Sequence, residues 1–205
     1  QQNNTNNSSS ENQQINTSSK NEPQNSVTYP NVETCSYTVH SSLPKYEIKI
    51  EYVSKKKASY IALYKENENT EIQRFDLEDN ERFTKKAIYV VDVTFDGYAD
   101  VLVPREHPAS AIYFMAFVWD TKTNKLVYAP TFETFGNISL DTDNKLLLSK
   151  ASGDMTTTYK IGNFDENLKD FKKSEVFNYY VNGEYIYYRE QKLENGEMKT
   201  VADYK

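Results

Sequence analysis

Residues 176–189 read Val-Phe-Asn-Tyr-Tyr-Val-Asn-Gly-Glu-Tyr-Ile-Tyr-Tyr-Arg, a pattern that predicts a β-hairpin. The central Asn182-Gly183 pair accepts the two positive φ angles of a type I′ turn, and the flanking aromatic and β-branched residues favour strands. Asn195-Gly196 repeats the turn signal ahead of residues 197–201. We therefore expect the end of the chain to form a three-stranded antiparallel meander.

Strand patterns continue upstream of this meander. Residues 46–52 alternate apolar with charged side chains, which predicts a strand with one buried face. Residues 111–119 are nine consecutive apolar residues, which is typical of a strand covered on both faces. Further strands are predicted at 60–64, 71–75, 87–93, 99–103 and 125–128, with a helical turn within 76–84 and a short helix at 164–171.

The fold class that these patterns predict is mainly β. We expect an antiparallel sandwich, or a propeller-like or barrel meander, with at most one or two short helices. The 17 tyrosines are expected to serve this architecture, because Tyr fits a half-buried pleated surface. The alternative is a row of exposed rings that stack on a glycan.

The first 26 residues have a different composition from the rest of the chain. They hold 8 Asn, 6 Ser, 5 Gln and 2 Thr, and their one apolar residue is Ile15. Such a segment buries too little apolar surface to offset the entropy of ordering it. We expect residues 1–26 to be a disordered tether, or a leader without a tethering role, and residues 27–205 to form a single β-rich domain.

Composition excludes several classes of protein. The formal charge of −6 and the absence of a long Lys/Arg block argue against a dedicated nucleic-acid binder. One cysteine and two histidines exclude a disulfide framework and a zinc site built from Cys and His. No apolar run reaches the roughly 18 residues of a membrane-spanning helix. Cys35 is expected to be a small buried residue, the alternative being a reactive or dimerising thiol.

The motif with the clearest chemistry is residues 92–100, Asp-Val-Thr-Phe-Asp-Gly-Tyr-Ala-Asp. Ca²⁺ takes six to eight oxygen ligands, and oxygen-bearing side chains at positions 1, 3 and 5 of a tight loop converge on one point. The glycine at position 6 permits the sharp turn, and the carbonyl at position 7 adds a ligand. The predicted calcium ligands are Asp92, Thr94, Asp96, Tyr98 through its carbonyl, and Asp100.

Two other interpretations of acidic turns stay open. The loop at 92–100 can be an ordinary hairpin whose Asp-Gly turn is acidic. Three unpaired carboxylates close together repel one another, however, and this favours a bound cation or a neighbouring Lys or Arg. Residues 141–144, Asp-Thr-Asp-Asn, also cluster oxygens, but they lack glycine and are predicted to be a simple turn.

From this loop onward the sequence resembles a group of bacterial exported lipoproteins. The resemblance rests on the acidic loop, on Val118-Trp119-Asp120, on residues 137–141 and 145–149, and on a Ser-Gly segment that reaches Tyr159. That group is related to periplasmic inhibitors of invertebrate-type lysozyme. It includes immunity proteins that neutralise peptidoglycan-cleaving effectors delivered by type IV secretion. The resemblance covers about residues 87–162.

The resemblance implies an all-β domain, calcium in the acidic loop, and inhibition by a protruding loop that enters a lysozyme cleft. The matching Ser-Gly loop would use Ser152, Gly153 and Tyr159, and the alternative is a hairpin turn with no partner. The location implied is extracellular or in the cell envelope, with any membrane attachment through a lipid anchor upstream of residue 1.

Function is therefore expected to be non-catalytic. The chain has no histidine cluster, no nucleophile motif and no phosphate-binding loop, although its many carboxylates leave a glycosidase-like pair as an alternative. The expected partner is a protein, such as a peptidoglycan hydrolase. A carbohydrate-binding or adhesin-like surface domain that recognises a glycan is the second hypothesis.

Overall fold

The computed structural model describes residues 28, 30–55, 57–77, 88–105, 111–152, 156–182 and 185–204. Within these ranges it describes the side chains of all residues except 156, 174–182 and 185–188. Within this part of the chain there are fourteen strands and one 3₁₀ helix, Pro130–Thr134. The strands are β1 (Asn31–Tyr37), β2 (Tyr46–Ser54), β3 (Lys57–Lys65), β4 (Glu71–Asp76), β5 (Tyr89–Val91), β6 (Asp100–Arg105), β7 (Tyr113–Asp120), β8 (Lys125–Tyr128), β9 (Ile138–Asp141), β10 (Leu146–Ser152), β11 (Thr156–Asp165), β12 (Asp170–Asn182), β13 (Tyr185–Glu194) and β14 (Glu197–Tyr204).

The strands form three successive antiparallel meanders. Strands β1–β4 make the N-terminal sheet, β5–β8 the central sheet and β9–β14 the C-terminal sheet, each in chain order. Every pairing joins strands adjacent in the chain and is antiparallel. The predicted class, mainly β and antiparallel, is confirmed, and the described strands do not close into a barrel.

The central sheet lies between the other two, and β7 shows this directly. Its side chains Met115, Phe117 and Trp119 belong to a core shared with the N-terminal sheet. Phe114 and Val118, which point to the opposite face of the strand, belong to a second core shared with the C-terminal sheet. The prediction of a strand covered on both faces is thus confirmed, since successive side chains of a strand point to opposite faces.

The first core confirms the alternation predicted for β2. Ile48 and Ile50 are fully buried, whereas Lys49 between them stays partly exposed. At one end of this core the Trp119 ring meets Tyr37 and Tyr46, with ring centroids 6.2 and 5.4 Å apart. Aromatic pairs at such separations add to the energy of area burial.

The second core is built around two phenylalanines, one in the 3₁₀ helix and one just after it. Phe132 and Phe135 are both fully buried between the central and C-terminal sheets, and Phe132 packs edge-on against Phe171 of β12 at 4.9 Å. On β11 a Cβ at Gly162 would lie 2.6 Å from the Phe135 ring, so a glycine is needed there for close packing. This 3₁₀ helix had no counterpart among the sequence predictions.

The helix predicted at residues 164–171 is wrong. Strand β11 ends at Asp165 and β12 begins at Asp170, and Phe164 lies directly opposite Phe171 in the ladder. Their ring centroids are 5.3 Å apart, and both rings pack in the second core. Two side chains seven residues apart lie on one face of a helix, but a hairpin with a four-residue turn also brings them side by side, on one face of a sheet.

The C-terminal meander is confirmed and is longer than expected. Asn195 and Gly196 both have positive φ, 53° and 84°, and connect β13 to β14. Strands β12 and β13 pair up to Asn182 and Tyr185, while Gly183 lies outside the described residues. The proposed tether at 1–26 and most of the segment 76–84 also lie outside them. In the described part of the chain no helix has the length and apolar character needed to cross a membrane.

Candidate functional site

The acidic loop connects β5 to β6 at the junction of the N-terminal and central sheets. It turns sharply through two residues with positive φ, Phe95 at 61° and Gly97 at 91°. Glycine reaches this region without steric cost, whereas a positive φ is uncommon at phenylalanine. The role predicted for Gly97, to permit a tight turn, is therefore confirmed.

Asp92 organises the first half of the loop. Its Oδ1 accepts hydrogen bonds from the backbone N–H of Phe95 at 2.6 Å and of Asp96 at 3.3 Å, and its Oδ2 accepts one from Gly97 at 2.9 Å. The Thr94 hydroxyl also donates to Oδ1 at 3.3 Å. Asp side chains commonly stabilise turns by accepting from the backbone that follows them, and here the carboxylate holds the loop curved around itself.

Asp96 lies at the exposed tip of the loop. Its Oδ1 accepts a hydrogen bond from the N–H of Tyr98 at 2.9 Å. The surrounding loop desolvates this carboxyl group and the charge of Asp92 repels it, and both effects raise its pKa. Tyr98, whose carbonyl is the fourth predicted ligand, packs its ring against that of His40, with centroids 5.0 Å apart.

Asp100 has a structural role that the sequence did not reveal. The residue is fully buried. Its Oδ2 accepts from the N–H groups of Val93 at 2.9 Å and Thr94 at 3.3 Å, and its Oδ1 accepts from the N–H of Trp119 at 2.8 Å. The carboxylate therefore ties the start of the loop to β7. Burial is the main cause that raises the pKa of Asp100 to about 7, and the charges of Asp96 and Asp92 act in the same direction.

The loop is also joined to the N-terminal sheet. The N–H of Ala99 donates to the carbonyl of Val39 at 2.8 Å, and the Tyr37 hydroxyl donates to the carbonyl of Ala99. Tyr37 is fully buried, and that burial is the main cause of its strongly raised pKa. These contacts fix the end of the loop to the end of β1 and the residues that follow it.

The three loop carboxylates have no cationic partner among the described residues, since no Lys or Arg there forms an ion pair with them. Lys145 comes near, but its Nζ lies 3.4 Å from the carbonyl oxygen of Phe95. The described residues also contain no group of three His, Cys, Asp or Glu side chains already arranged to hold a metal ion. Of the three carboxylates, those of Asp92 and Asp96 belong to the loop surface, and that of Asp100 faces inward.

The Ser-Gly segment lies at the end of the β10–β11 hairpin. Ser152 is exposed and lies opposite Thr157, with the two hydroxyl oxygens 3.2 Å apart, while Gly153 lies outside the described residues. Tyr159 is 38 % exposed and faces its cross-strand partner Lys150, whose ammonium is 5.5 Å from the ring centroid. Ser152 and Thr157 thus lie near the tip of the hairpin, and Tyr159 lies two residues further along β11, away from the tip.

The tyrosines are mainly structural where they are described. Tyr37, Tyr46 and Tyr52 belong to the first core. The most exposed described tyrosines lie on three different strands: Tyr89 on β5, Tyr159 on β11 and Tyr204 on β14. No two of these strands are neighbours in a sheet, so these three rings do not form one flat row.

The remaining candidate side chains are unremarkable in their surroundings. Cys35 is only half-buried on β1, where its thiol contacts the carbonyl of Ser36 at 3.4 Å and burial raises its pKa. The acidic segment 141–144 is a turn, as predicted, in which Asn144 donates to the Asp141 carboxylate. His107 lies outside the described residues.

Comparisons of the chain with protein-family models, with curated proteins and with solved structures find no match. The resemblance to the lysozyme-inhibitor group, and the activity it implies, therefore stay predictions that rest on the sequence motifs.

Proposed function

We propose that this chain is an exported, non-catalytic domain that binds calcium in the 92–100 loop and binds a protein partner through its β10–β11 hairpin. The observation that carries the calcium proposal is the concentration of three carboxylates in one nine-residue loop without an ion pair from the described Lys or Arg residues. Like charges this close destabilise the fold unless a cation neutralises them.

The loop residues fit a calcium ion in part. Asp92 and Asp96 are the anchoring ligands, because Oδ2 of Asp92 and Oδ1 of Asp96 each accept one backbone N–H and keep a second lone pair. Thr94 and the carbonyl of Tyr98 would complete the loop's own set, and the exposed tip leaves room for water ligands. Asp100 keeps both oxygens on backbone N–H groups and acts through its charge from beneath the loop. The ion would be structural, pinning together β5 and β6, the two strands that the loop connects.

Calcium is expected to raise the midpoint of thermal unfolding. A ligand that binds only the folded state at one hundred times its Kd stabilises by about 2.7 kcal/mol, which for a chain of this size is a shift of roughly 5–10 °C. The measurement compares the midpoint in excess CaCl₂ with that in EDTA. Asp96→Ala should abolish the shift while leaving the midpoint in EDTA close to that of the wild type, because Asp96 is exposed and its hydrogen bonds go only to its loop neighbours Thr94 and Tyr98.

The matched control is Asp143→Ala, which removes an exposed carboxylate from the acidic turn after β9. This variant should retain the whole calcium shift. Equal wild-type midpoints in calcium and in EDTA would refute the calcium proposal, as would an unchanged shift in Asp96→Ala.

The partner proposal rests on the β10–β11 hairpin and on charge. The hairpin carries Ser152 near its tip, and a Ser hydroxyl there can hydrogen-bond the acidic groups of a glycosidase. The net charge of −6 would attract a basic hydrolase and raise its association rate. A peptidoglycan hydrolase is therefore the partner class that we propose.

The partner proposal is tested with a panel of purified lysozymes acting on a peptidoglycan suspension. We expect inhibition of at least one enzyme, weakened about tenfold by Ser152→Ala, since one hydrogen bond to a charged group contributes on the order of 1.5 kcal/mol. Lys199→Gln on the distant strand β14 is the control that should inhibit normally. Absence of both binding and inhibition across the panel would eliminate this partner class without affecting the calcium result.

A further inference from the structure

Two lysines of the C-terminal sheet form a pair of like charges. Lys160 of β11 is half-buried, and its ammonium donates to the carbonyl of Thr134 at the end of the 3₁₀ helix. Burial, together with the nearby charge of Lys173 on β12, lowers the pKa of Lys160. Among the described residues neither lysine has an acidic partner, whereas the adjacent Lys172 pairs with Asp165.

A groove lies beside Lys173. It runs between the 3₁₀ helix and the β13–β14 hairpin and has a volume of about 360 Å³. Its apolar part is formed by Leu193 and Met198, which lie opposite each other across the hairpin. Lys173 and Lys172 line it as well, with Thr131 on the side of the 3₁₀ helix. The volume is near the lower end of the roughly 300–1,000 Å³ usual for small-ligand sites.

We propose that this groove binds a small aliphatic carboxylate. Its carboxylate would pair with Lys173, and its short hydrocarbon chain would cover Leu193 and Met198. An ammonium that has no acidic partner among the described residues, beside an exposed apolar floor, is complementary to a ligand that has one negative charge and a few methylene groups.

The charge of the ligand is limited by one neighbouring acid. Asp170 accepts hydrogen bonds from the N–H and the hydroxyl of Thr131, so a carboxylate is already held against one wall of the groove. A doubly charged phosphate would meet more repulsion from Asp170 than a single carboxylate would. The groove therefore favours a monocarboxylate. Its ligand is an anion, whereas the ligand that we propose for the 92–100 loop is a cation.

The test uses hexanoate as the probe, with the purified full chain and isothermal titration calorimetry. Acetate carries the same charge without the chain, and 1-hexanol carries the chain without the charge, so both should bind at least about tenfold more weakly than hexanoate. Lys173→Gln should weaken hexanoate binding about tenfold, a loss that corresponds to 1.4 kcal/mol. Lys199→Gln is the matched control, since it lies next to Met198 on the opposite face of β14 and should bind normally.

Unfolding experiments separate a binding role of Lys173 from a structural one. Removal of one of two like charges should leave the free energy of unfolding of Lys173→Gln unchanged or raise it. Saturable hexanoate binding that depends on Lys173, in a variant as stable as the wild type, supports the proposal. Equal binding by Lys173→Gln, equal binding of 1-hexanol, or no saturable hexanoate binding overturns it.

Discussion

Asp100→Ala is expected to lower the free energy of unfolding by about 2–6 kcal/mol, because it leaves two buried N–H groups without an acceptor at a cost of about 1–3 kcal/mol each, together with a third N–H that is only part-buried. Those groups belong to Val93, Thr94 and Trp119, and the carboxylate that serves them is fully buried. Since domains are typically stable by about 5–15 kcal/mol, the variant should be near the limit of folding. Urea unfolding in EDTA measures the loss without any contribution from bound cation.

Asp100→Asn refines this test. The amide keeps one acceptor oxygen but turns an NH₂ group toward at least one backbone donor. The free energy of unfolding of Asp100→Asn should therefore lie between those of the wild type and Asp100→Ala. Asp143→Ala, at an exposed turn, should stay within about 0.5 kcal/mol of the wild type. If Asp100→Ala were as stable as the Asp143 variant, the proposed tie between the loop and β7 would be disproved.

Phe117→Ala is expected to cost about 3–5 kcal/mol, the usual range for a phenylalanine truncated inside a core. Phe117 is fully buried at the centre of β7, and its ring packs against Phe75 at 4.7 Å and Tyr128 at 5.5 Å. The substitution would therefore open a cavity between the N-terminal and central sheets. Chemical denaturation provides the measurement, and an unchanged slope with denaturant would show that the loss is one of stability alone.

The control for Phe117 comes from the same apolar run. Ile112 precedes β7 and is 40 % exposed, so Ile112→Ala should cost less than about 1 kcal/mol. Phe117→Leu should fall between the two, because it fills part of the cavity. Equal losses at positions 112 and 117 would contradict the assignment of Phe117 to a tightly packed core.

The strands could be predicted wherever the signal is local. Alternation in β2, the continuous apolar run of β7 and the Asn-Gly turn after β13 each depend on residues within a short window. The segment 164–171 misled the prediction because its two phenylalanines suit a helical face and a hairpin alike. Only their pairing across the ladder, and burial against Phe132, selects the hairpin.

The candidate site was predictable to a similar degree. The acidic spacing and Gly97 identified a tight loop, and the positive φ of Gly97 agrees. The spacing could not distinguish Asp92 and Asp96, which serve the loop itself, from Asp100, which serves β7. That difference depends on Trp119, nineteen residues away, whose N–H meets Asp100 only after the central sheet forms.

Strand period and turn chemistry act between near neighbours, so the amino-acid sequence was enough to identify an antiparallel β protein with an acidic turn. Tertiary structure alone decided which charges are buried, which are paired and which are left over. It buried Asp100 under the loop, and it placed Lys173 beside the groove of Leu193 and Met198. Burial and charge compensation depend on groups that are distant in the chain and meet only when the three sheets pack.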